Sequence, residues 1–482
     1  MSTAFDQATR AVEAALAAGA RYADARVVHT RTRALSARNA EVESVDLGDD
    51  LGIGVRALVG ASWGFAATSD LDADAAGRTG AQATATARAS AILPGGDLRL
   101  APLAATVASW DSPFDQDPFE VSLSTQADLI TAVTRDAAAV DGVAVATAHL
   151  QFWDVRKWFV SSEGHRIDQR LVSSGGGMQA IALGKHETQV RSYPQSFGDY
   201  RSGGWEVIEA FDLPAHAVRM GEEAVALLSA PPCPAVTTDV VLDSSQVAMQ
   251  LHESVGHAIE LDRILGWEAA FAGTSFLDLD QLGTLRYGSV LMNVTADATM
   301  PGAMGTFGFD DEGTPAQSVE IVDAGRWVGV LSGRDSAHLA GLPPGGMVRA
   351  DGYARLPMVR MTNVGLLAGT STMDELIGGI DYGVLMATNR SWSIDDRRLN
   401  FQFGCEIGWE IKAGQLGRML RNPTYTGITP TFWAGLDGLG NEELRRAWGI
   451  PNCGKGQPMQ TMQTAHPAVP ARFRNVEVGV TG

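Results

Sequence analysis

Two histidines, His252 and His257, stand five positions apart with Glu253 directly after the first, in the run LHESVGHAIE. On a regular α-helix five residues turn about 500°, so the two side chains diverge by about 140°. Four residues would leave them only about 40° apart. Both histidines can reach one point only if the helix absorbs an extra residue, as a single π-turn does. Gly256 tolerates unusual backbone angles and suits such a turn. The segment leading in reads as a strand end at Val240-Val241-Leu242, then a helix start. Asp243 with Gln246 three residues on has the pattern of a capping box, and Val247 and Leu251 open an apolar periodicity. The spacing therefore predicts a helix after a strand, with a local irregularity over Ser254–Gly256.

The residue types carry chemistry. Imidazole is the commonest metal ligand, and a carboxylate beside a metal site is the usual general base of a metallohydrolase. The chain has nine histidines in 482 residues, and two fall in this one window. On spacing alone, the alternative that both are ordinary helix histidines stays open.

The length suggests two sizeable domains. The charge, 37 basic against 56 acidic residues for a net of −19, disfavours nucleic-acid and anionic-membrane partners. Cys233, Cys405 and Cys453 are odd in number and far apart, so no disulfide framework is expected. The first residues read as an amphipathic helix rather than a signal peptide, and no run approaches a membrane span. These features point to a cytoplasmic location.

Along the chain, a helix to about Ala18 precedes alternating strand patterns over Asp24–Val45 and Leu51–Thr68, then an alanine-rich helix over Leu71–Ala91. Ser124–Val140 and Pro214–Ser229 read as helices around further strands between Val143 and Val207. The cluster Ala230-Pro231-Pro232-Cys233-Pro234 stiffens the chain and breaks any helix. It divides an N-terminal α+β domain, residues 1–230, from a β-rich domain, residues 231–482, that contains the motif helix. Later strands are expected over Ser289–Asp297, Gln317–Val330, Ala354–Leu367, Gly383–Trp392 and Asn400–Lys412, with helices over Met373–Gly379 and Asn441–Trp448. The fold class is α+β.

Several blocks resemble the TldD/PmbA family of peptidases, and its TldD-type subunit in particular. They are Tyr22-Ala23-Asp24, Gly52–Arg56, Trp63–Ala66 with Thr68, HESVGH at His252–His257, DDEG at Asp310–Gly313, RMTN at Arg360–Asn363 and NCGK at Asn452–Lys455. The resemblance spans nearly the whole chain. It implies a catalytic β-rich C-terminal domain and one divalent metal, Zn2+ before Fe2+. It implies His252, His257 and Cys453 as ligands, with Glu253 as general base. Thiolate and two imidazoles leave a fourth position open. It further implies dimers, with a PmbA/TldE-type subunit or a second copy, that act on small or unfolded peptides. One departure is Gly-Lys-Gly-Gln after Cys453, where many members carry an extra residue before the second glycine. That alters the loop rather than the ligand.

Alternatives to Cys453 as third ligand are Cys405 and His466. Asp310, Asp311 and Glu312 form an acidic turn that orients a histidine or meets a substrate amine; a solvated turn is the plain alternative. Arg360 and Asn363 are candidates for holding a substrate carbonyl or stabilising the developing oxyanion, with a structural pairing of Arg360 to the acidic turn as the equal alternative. An extended peptide is expected to add along a sheet edge, where main-chain hydrogen bonds read no sequence. The contrasting reading is a non-catalytic regulatory partner with a structural metal held by four protein ligands.

Overall fold

The computed structural model describes residues 2–92, 98–196, 198–271 and 273–480. Its first half is built on an eight-stranded sheet. Its strands are β1 (Tyr22–Arg38), β2 (Glu41–Val59), β3 (Ser62–Thr68), β4 (Val107–Asp111), β5 (Val143–Ser161), β6 (Arg166–Leu183), β7 (Thr188–Tyr193) and β8 (Asp199–Ser202). The path runs β3-β2-β1-β5-β6-β4, with β7 and β8 also on β6, and every pairing but β4–β6 is antiparallel.

Side chains alternate across a strand, and here both faces are buried, each with its own chemistry. One face is apolar. Ala25 and Val27 of β1 with Ile53 and Val55 of β2 pack under α1 (Ser2–Ala17) and α2 (Ala73–Ser90). Leu35, Ala37, Leu150 and Phe152 pack under α3 (Leu123–Ala138) and, past the short α4 (Glu206–Phe211), α5 (Leu213–Ser229). Each large apolar side chain so covered contributes roughly 1.5–3 kcal/mol. The two alanine-rich helices approach closely: a Cβ on Gly80 would lie 2.0 Å from the Ala11 carbonyl oxygen. The opposite face carries Asp24, Arg26 and Arg56, all buried against the second half of the chain. The outer part of the β1–β2 hairpin differs. β3 covers β2 only from Ile53 to Val59, so Glu41–Leu51 is a bare, mostly exposed edge.

The second half begins with β9 (Val236–Leu242) and α6 (Ser244–Leu251). After the short α7 (Leu261–Ile264) come β10 (Val294–Asp297), β11 (Ser318–Asp323), β12 (Arg326–Trp327), β13 (Val348–Arg349), β14 (Met358–Val359) and β15 (Val364–Leu366). Longer strands follow: β16 (Tyr382–Ile394), β17 (Asn400–Lys412), β18 (Gln415–Arg421), β19 (Pro423–Ile428), β20 (Leu436–Leu439), β21 (Arg446–Lys455), β22 (Gln460–Ala468) and β23 (Ala471–Val480). Their pairings β16-β9-β23-β19-β17 return to β16, closing a ring, and β21–β22 stand apart as a two-stranded hairpin. The class is α+β with a β-rich second half, as expected. Among the described residues no helix is long and apolar enough to cross a membrane.

Four expectations need correction. The strand expected over Ala354–Leu367 is two short pieces, β14 and β15, and that over Gln317–Val330 is a hairpin of β11 and β12. Asn441–Trp448 is not a helix: a 3-10 turn, Glu442–Leu444, leads directly into β21, where Arg446 pairs with Ala468 and Trp448 with His466. Ladder formation overrides the local helix preference of Glu-Glu-Leu-Arg-Arg. The strand expected over Ser289–Asp297 is also shorter, beginning at Val294.

Candidate metal centre

Every residue of α6 is buried. Asp243 caps it, accepting from the Gln246 amide at 3.0 Å. The reciprocal half of the capping box is absent, because the Gln246 side chain donates to the Tyr425 hydroxyl at 2.8 Å instead. At His252 the helix changes pitch. His252–Gly256 is a π-turn, closed by the His257 amide on the His252 carbonyl at 3.2 Å. This is the irregularity that the five-residue spacing demands. Gly256 is needed there for space rather than for backbone freedom: a Cβ would lie 2.0 Å from the Met361 sulfur. The two imidazoles end with ring centres 4.9 Å apart at 85°.

The third donor comes from β21, 196 residues from His257 along the chain. A register shift between Ile450 and Cys453 re-aims the strand, as bulges do. The Cys453 sulfur lies 3.6 Å from His257 Nε2, and donor atoms of His252, His257 and Cys453 all lie within 4.8 Å of one another. All three residues are buried.

The surrounding groups decide which nitrogens are free. His466 Nδ1 lies 2.8 Å from the Val364 carbonyl, which can only accept, so Nδ1 carries the proton and Nε2 the lone pair. His252 Nδ1 lies 2.8 Å from His466 Nε2 and must therefore donate to it. That leaves the His252 Nε2 lone pair free. His257 Nδ1 lies 3.0 Å from a Glu260 carboxylate oxygen and donates to it, which leaves its Nε2 lone pair facing Cys453. Burial holds both His252 and His257 below the ordinary histidine pKa, in the neutral form a metal requires. Burial alone would raise the Cys453 thiol, but His257, whose Nε2 can take the thiol proton, and Arg360 outweigh it and bring the pKa below its usual value. Two neutral imidazoles with fixed lone pairs and one acidified thiol fit a borderline-soft divalent cation.

Behind His257 lies a buried ion network. Lys455, two residues after Cys453 and so on the same strand face, donates to Asp262 at 2.7 and 2.8 Å and to the Val359 carbonyl at 2.8 Å. It also stands 3.3 Å from Glu260. Burial would raise the Glu260 pKa, but Lys455, His257 and Arg263 hold it well below the carboxylate range. One strand thus delivers both the sulfur and the counter-charge for the carboxylate that orients His257.

Glu253 is buried beside His252, and Arg398 donates to its Oε2 at 2.8 Å. Glu253 Oε1 has no hydrogen bond among the described residues. Sequence reasoning missed Glu260, Arg398 and the work of Lys455. Glu260 was within reach, three residues past His257 in the turn that follows the motif helix. Arg398, 145 positions from Glu253, carries no local signal.

The remaining expected residues sit as follows. His466 stands behind His252 rather than among the clustered donors. Cys405 lies buried in β17 opposite Asn389, outside the cluster. Asp311 is no solvated turn. Burial would raise its pKa, but Lys157, at 3.0 Å from both oxygens, and Arg26 bring it below the usual value. Glu312 accepts from Arg56 at 3.2 Å and from the Arg334 amide at 2.7 Å. Arg360 is fully buried and donates to the carbonyls of Gln460 and Cys453. Asn363 uses its amide on Asp297, Thr306 and Gly305. Arg360 and Asn363 therefore build the walls that carry Cys453 and β15, and a carbonyl-holding role has no free group to rest on at Asn363.

A cavity of about 830 Å3 separates the charged face of the first sheet from the β21–β22 hairpin. Lys157 and Asp311 line one side; Asn452, next to Cys453, and Met462, its cross-strand partner, line the other.

Known proteins agree with this picture. Residues 235–470 match the model of the PmbA/TldA metallopeptidase C-terminal domain, and residues 23–91 match that family's domain 1. A metalloprotease of Methanothermobacter thermautotrophicus is 29% identical over 95% of this chain and 96% of its own. A metalloprotease TldD homolog of Buchnera aphidicola is 26% identical over 87% and 85%. The solved TldE of Thermococcus kodakarensis shares the fold at a TM-score of 0.73 and 14% identity, covering 98% of this chain and all (100%) of that one. With the donors gathered at one point and both halves matched in order, this chain belongs to the PmbA/TldD family of metallopeptidases.

Proposed function

We propose that this chain is a hydrolytic, TldD-type subunit that cleaves peptide bonds in small or unfolded peptides, with one Zn2+ held by His252, His257 and Cys453. The carrying observation is the convergence of those three donors, with the lone pairs of both imidazoles aimed by buried partners. A thiolate with two imidazoles favours zinc, with Fe2+ next. When bound, the ion would supply Lewis acidity, polarising a carbonyl and lowering the pKa of water.

Glu253 is the general base. Arg398 occupies Oε2, so Oε1 is the oxygen that takes the proton of the attacking water and returns it to the departing amine. Glu260 and His466 keep the imidazoles in one tautomer and orientation through that cycle. The engagement of His466 by His252 and Val364 favours three protein ligands and an open position over a closed structural site.

The cavity is of the size that takes a small ligand or a few residues of peptide. An extended chain adding to a strand edge at its rim would be read through its backbone, which suits broad specificity. We assign the two domains to residues 1–230 and 231–482, and place the protein in the cytoplasm. It works as a dimer with a PmbA/TldE-type subunit or with itself, and a net charge of −19 argues against nucleic acid as a partner.

The test is elemental analysis and peptide hydrolysis on wild type, Glu253→Gln, His257→Ala and Cys453→Ala, alone and with a TldE-type partner. Wild type and Glu253→Gln should carry equal zinc, near one per chain. All three variants should lose hydrolysis, by about a hundredfold or more for the base. Stoichiometric metal with no wild-type hydrolysis in any pairing would favour a regulatory partner with a structural metal.

A further inference from the structure

Arg398 lies in the turn between β16 and β17, Asp395-Asp396-Arg397-Arg398-Leu399. It adopts φ +63, the left-handed region that is uncommon for a non-glycine residue. The surroundings hold it there. Its amide donates to the Asp395 carbonyl at 2.9 Å, and its carbonyl accepts from the Thr429 hydroxyl at 2.8 Å. Asp395 caps the far side of the turn, accepting from the Leu399 amide at 2.8 Å. The neighbouring segment grips it as well, through the Thr274 amide on Asp396 and the Phe276 amide on Arg397. A plain surface turn has no use for so many restraints on an arginine.

The guanidinium these restraints hold is under-used. Nη1 donates to Glu253 at 2.8 Å, Nε is buried without a partner, and Nη2 makes no hydrogen bond among the described residues. Its side chain is 17% exposed, and the charges it feels beyond Glu253 are those of Glu260, Cys453 and Arg263. A fixed cation with idle N–H groups beside a general base and metal donors is arranged for an anion that forms during reaction.

We propose that Arg398 is a further catalytic residue, which receives the scissile carbonyl oxygen and stabilises the negative charge that develops on it. As the water oxygen bonds to the carbonyl carbon, the C=O π pair moves onto that oxygen beside Arg398. The water proton goes to Glu253 Oε1. When the C–N bond breaks, the pair returns to re-form C=O and the amine leaves with the proton. This inference rests on the peptidase reading above.

The experiment uses full-length, metal-loaded protein, with a TldE-type partner where wild-type hydrolysis needs one. Arg398→Ala and Arg398→Lys are compared for metal content, melting temperature, kcat and KM. The probe is a phosphinic-acid peptide, a tetrahedral anionic mimic of the attacked amide. Its Kd is measured beside that of the parent amide peptide, the latter on a Glu253→Gln background that cannot turn it over. Arg398→Ala should keep its metal and fold, and lose about 10²–10³ in kcat with KM little changed. Its affinity for the phosphinate should fall by a similar factor while amide affinity moves less than about threefold. Arg398→Lys should be intermediate, and added guanidinium should partly restore Arg398→Ala. A lower kcat with unchanged phosphinate affinity would reduce Arg398 to a positioning residue for Glu253 and overturn the proposal. So would unchanged or higher activity, which would make the ion pair a latch. A wild type that neither holds metal nor hydrolyses peptide fails before the variants are compared, and removes the peptidase reading and this one together.

Discussion

Two clusters of buried carboxylates, one behind the metal centre and one where the first sheet meets the acidic turn, hold charge in different ways. Behind the metal centre, Glu260 has Lys455, His257 and Arg263 around it and stays ionised well below its usual range. Between the first sheet and the acidic turn, Glu312 must share. Asp24 takes Nε and Nη2 of Arg56, at 3.0 and 2.6 Å, leaving Glu312 only Nη1 at 3.2 Å. Burial, with Asp335 and Asp310 close by, then pushes Glu312 up to about 8. Both glutamates are equally buried, so depth does not separate them. The charges around each do: Lys455, His257 and Arg263 stand about Glu260, whereas Glu312 meets one shared cation and two further carboxylates. Glu260 is a fixed charge that aims a ligand; Glu312 is a group that titrates.

The strongest way to break this contrast is Lys455→Met. It strands Glu260 and Asp262 and should cost about 3–5 kcal/mol in urea unfolding. Zinc affinity by chelator competition should fall about 10–100-fold, because His257 loses its aim. Unchanged zinc affinity would mean that Glu260 does not serve the metal. Next comes Arg56→Met, which leaves Asp24 and Glu312 without their cation. It should cost about 3 kcal/mol in the same unfolding assay yet leave zinc affinity intact. Parallel losses would show that the clusters act as one.

The smallest effect is pH-dependent. Glu312 has its folded pKa raised from the ordinary 4.5 to about 8. The stability tied to its proton is therefore fully present below about pH 4.5 and lost as pH rises through 8. Glu312→Gln should match wild type in melting temperature near pH 5 and exceed it at pH 9, by on the order of 2 kcal/mol. Coincident melting curves across that range would remove Glu312 as the titrating group.

What was legible beforehand was local. Histidines five positions apart forced a helix irregularity, and Asp243 announced the helix start, because both are settled within one or two turns of chain. Cys453 as the third ligand entered through resemblance and not from spacing. The rest depends on groups that meet only after folding. Lys455 reaches Asp262 across 193 residues, and Arg398 reaches Glu253 across 145. Arg360, singled out through the RMTN block, donates to the carbonyls of Gln460 and Cys453, contacts across 100 and 93 residues that no local pattern announces. The strand at Arg446–Lys455 was misread as helix at its start because Asn441–Trp448 has helical composition, and only the β22 ladder reverses it.

The bare edge of β2 has a consequence for how the protein behaves in a tube. Val42, Val45, Leu47 and Leu51 are 40–65% exposed there, on a strand whose amides have one neighbour instead of two. Glu41, Glu43, Asp46, Asp49 and Asp50 share that stretch, so two copies meeting edge to edge bring like charges together. Salt weakens the guard. Once those charges are screened, what remains is an open valine- and leucine-bearing template, and stocks held at high ionic strength should gather into β-rich aggregates well before the cores of the two halves unfold.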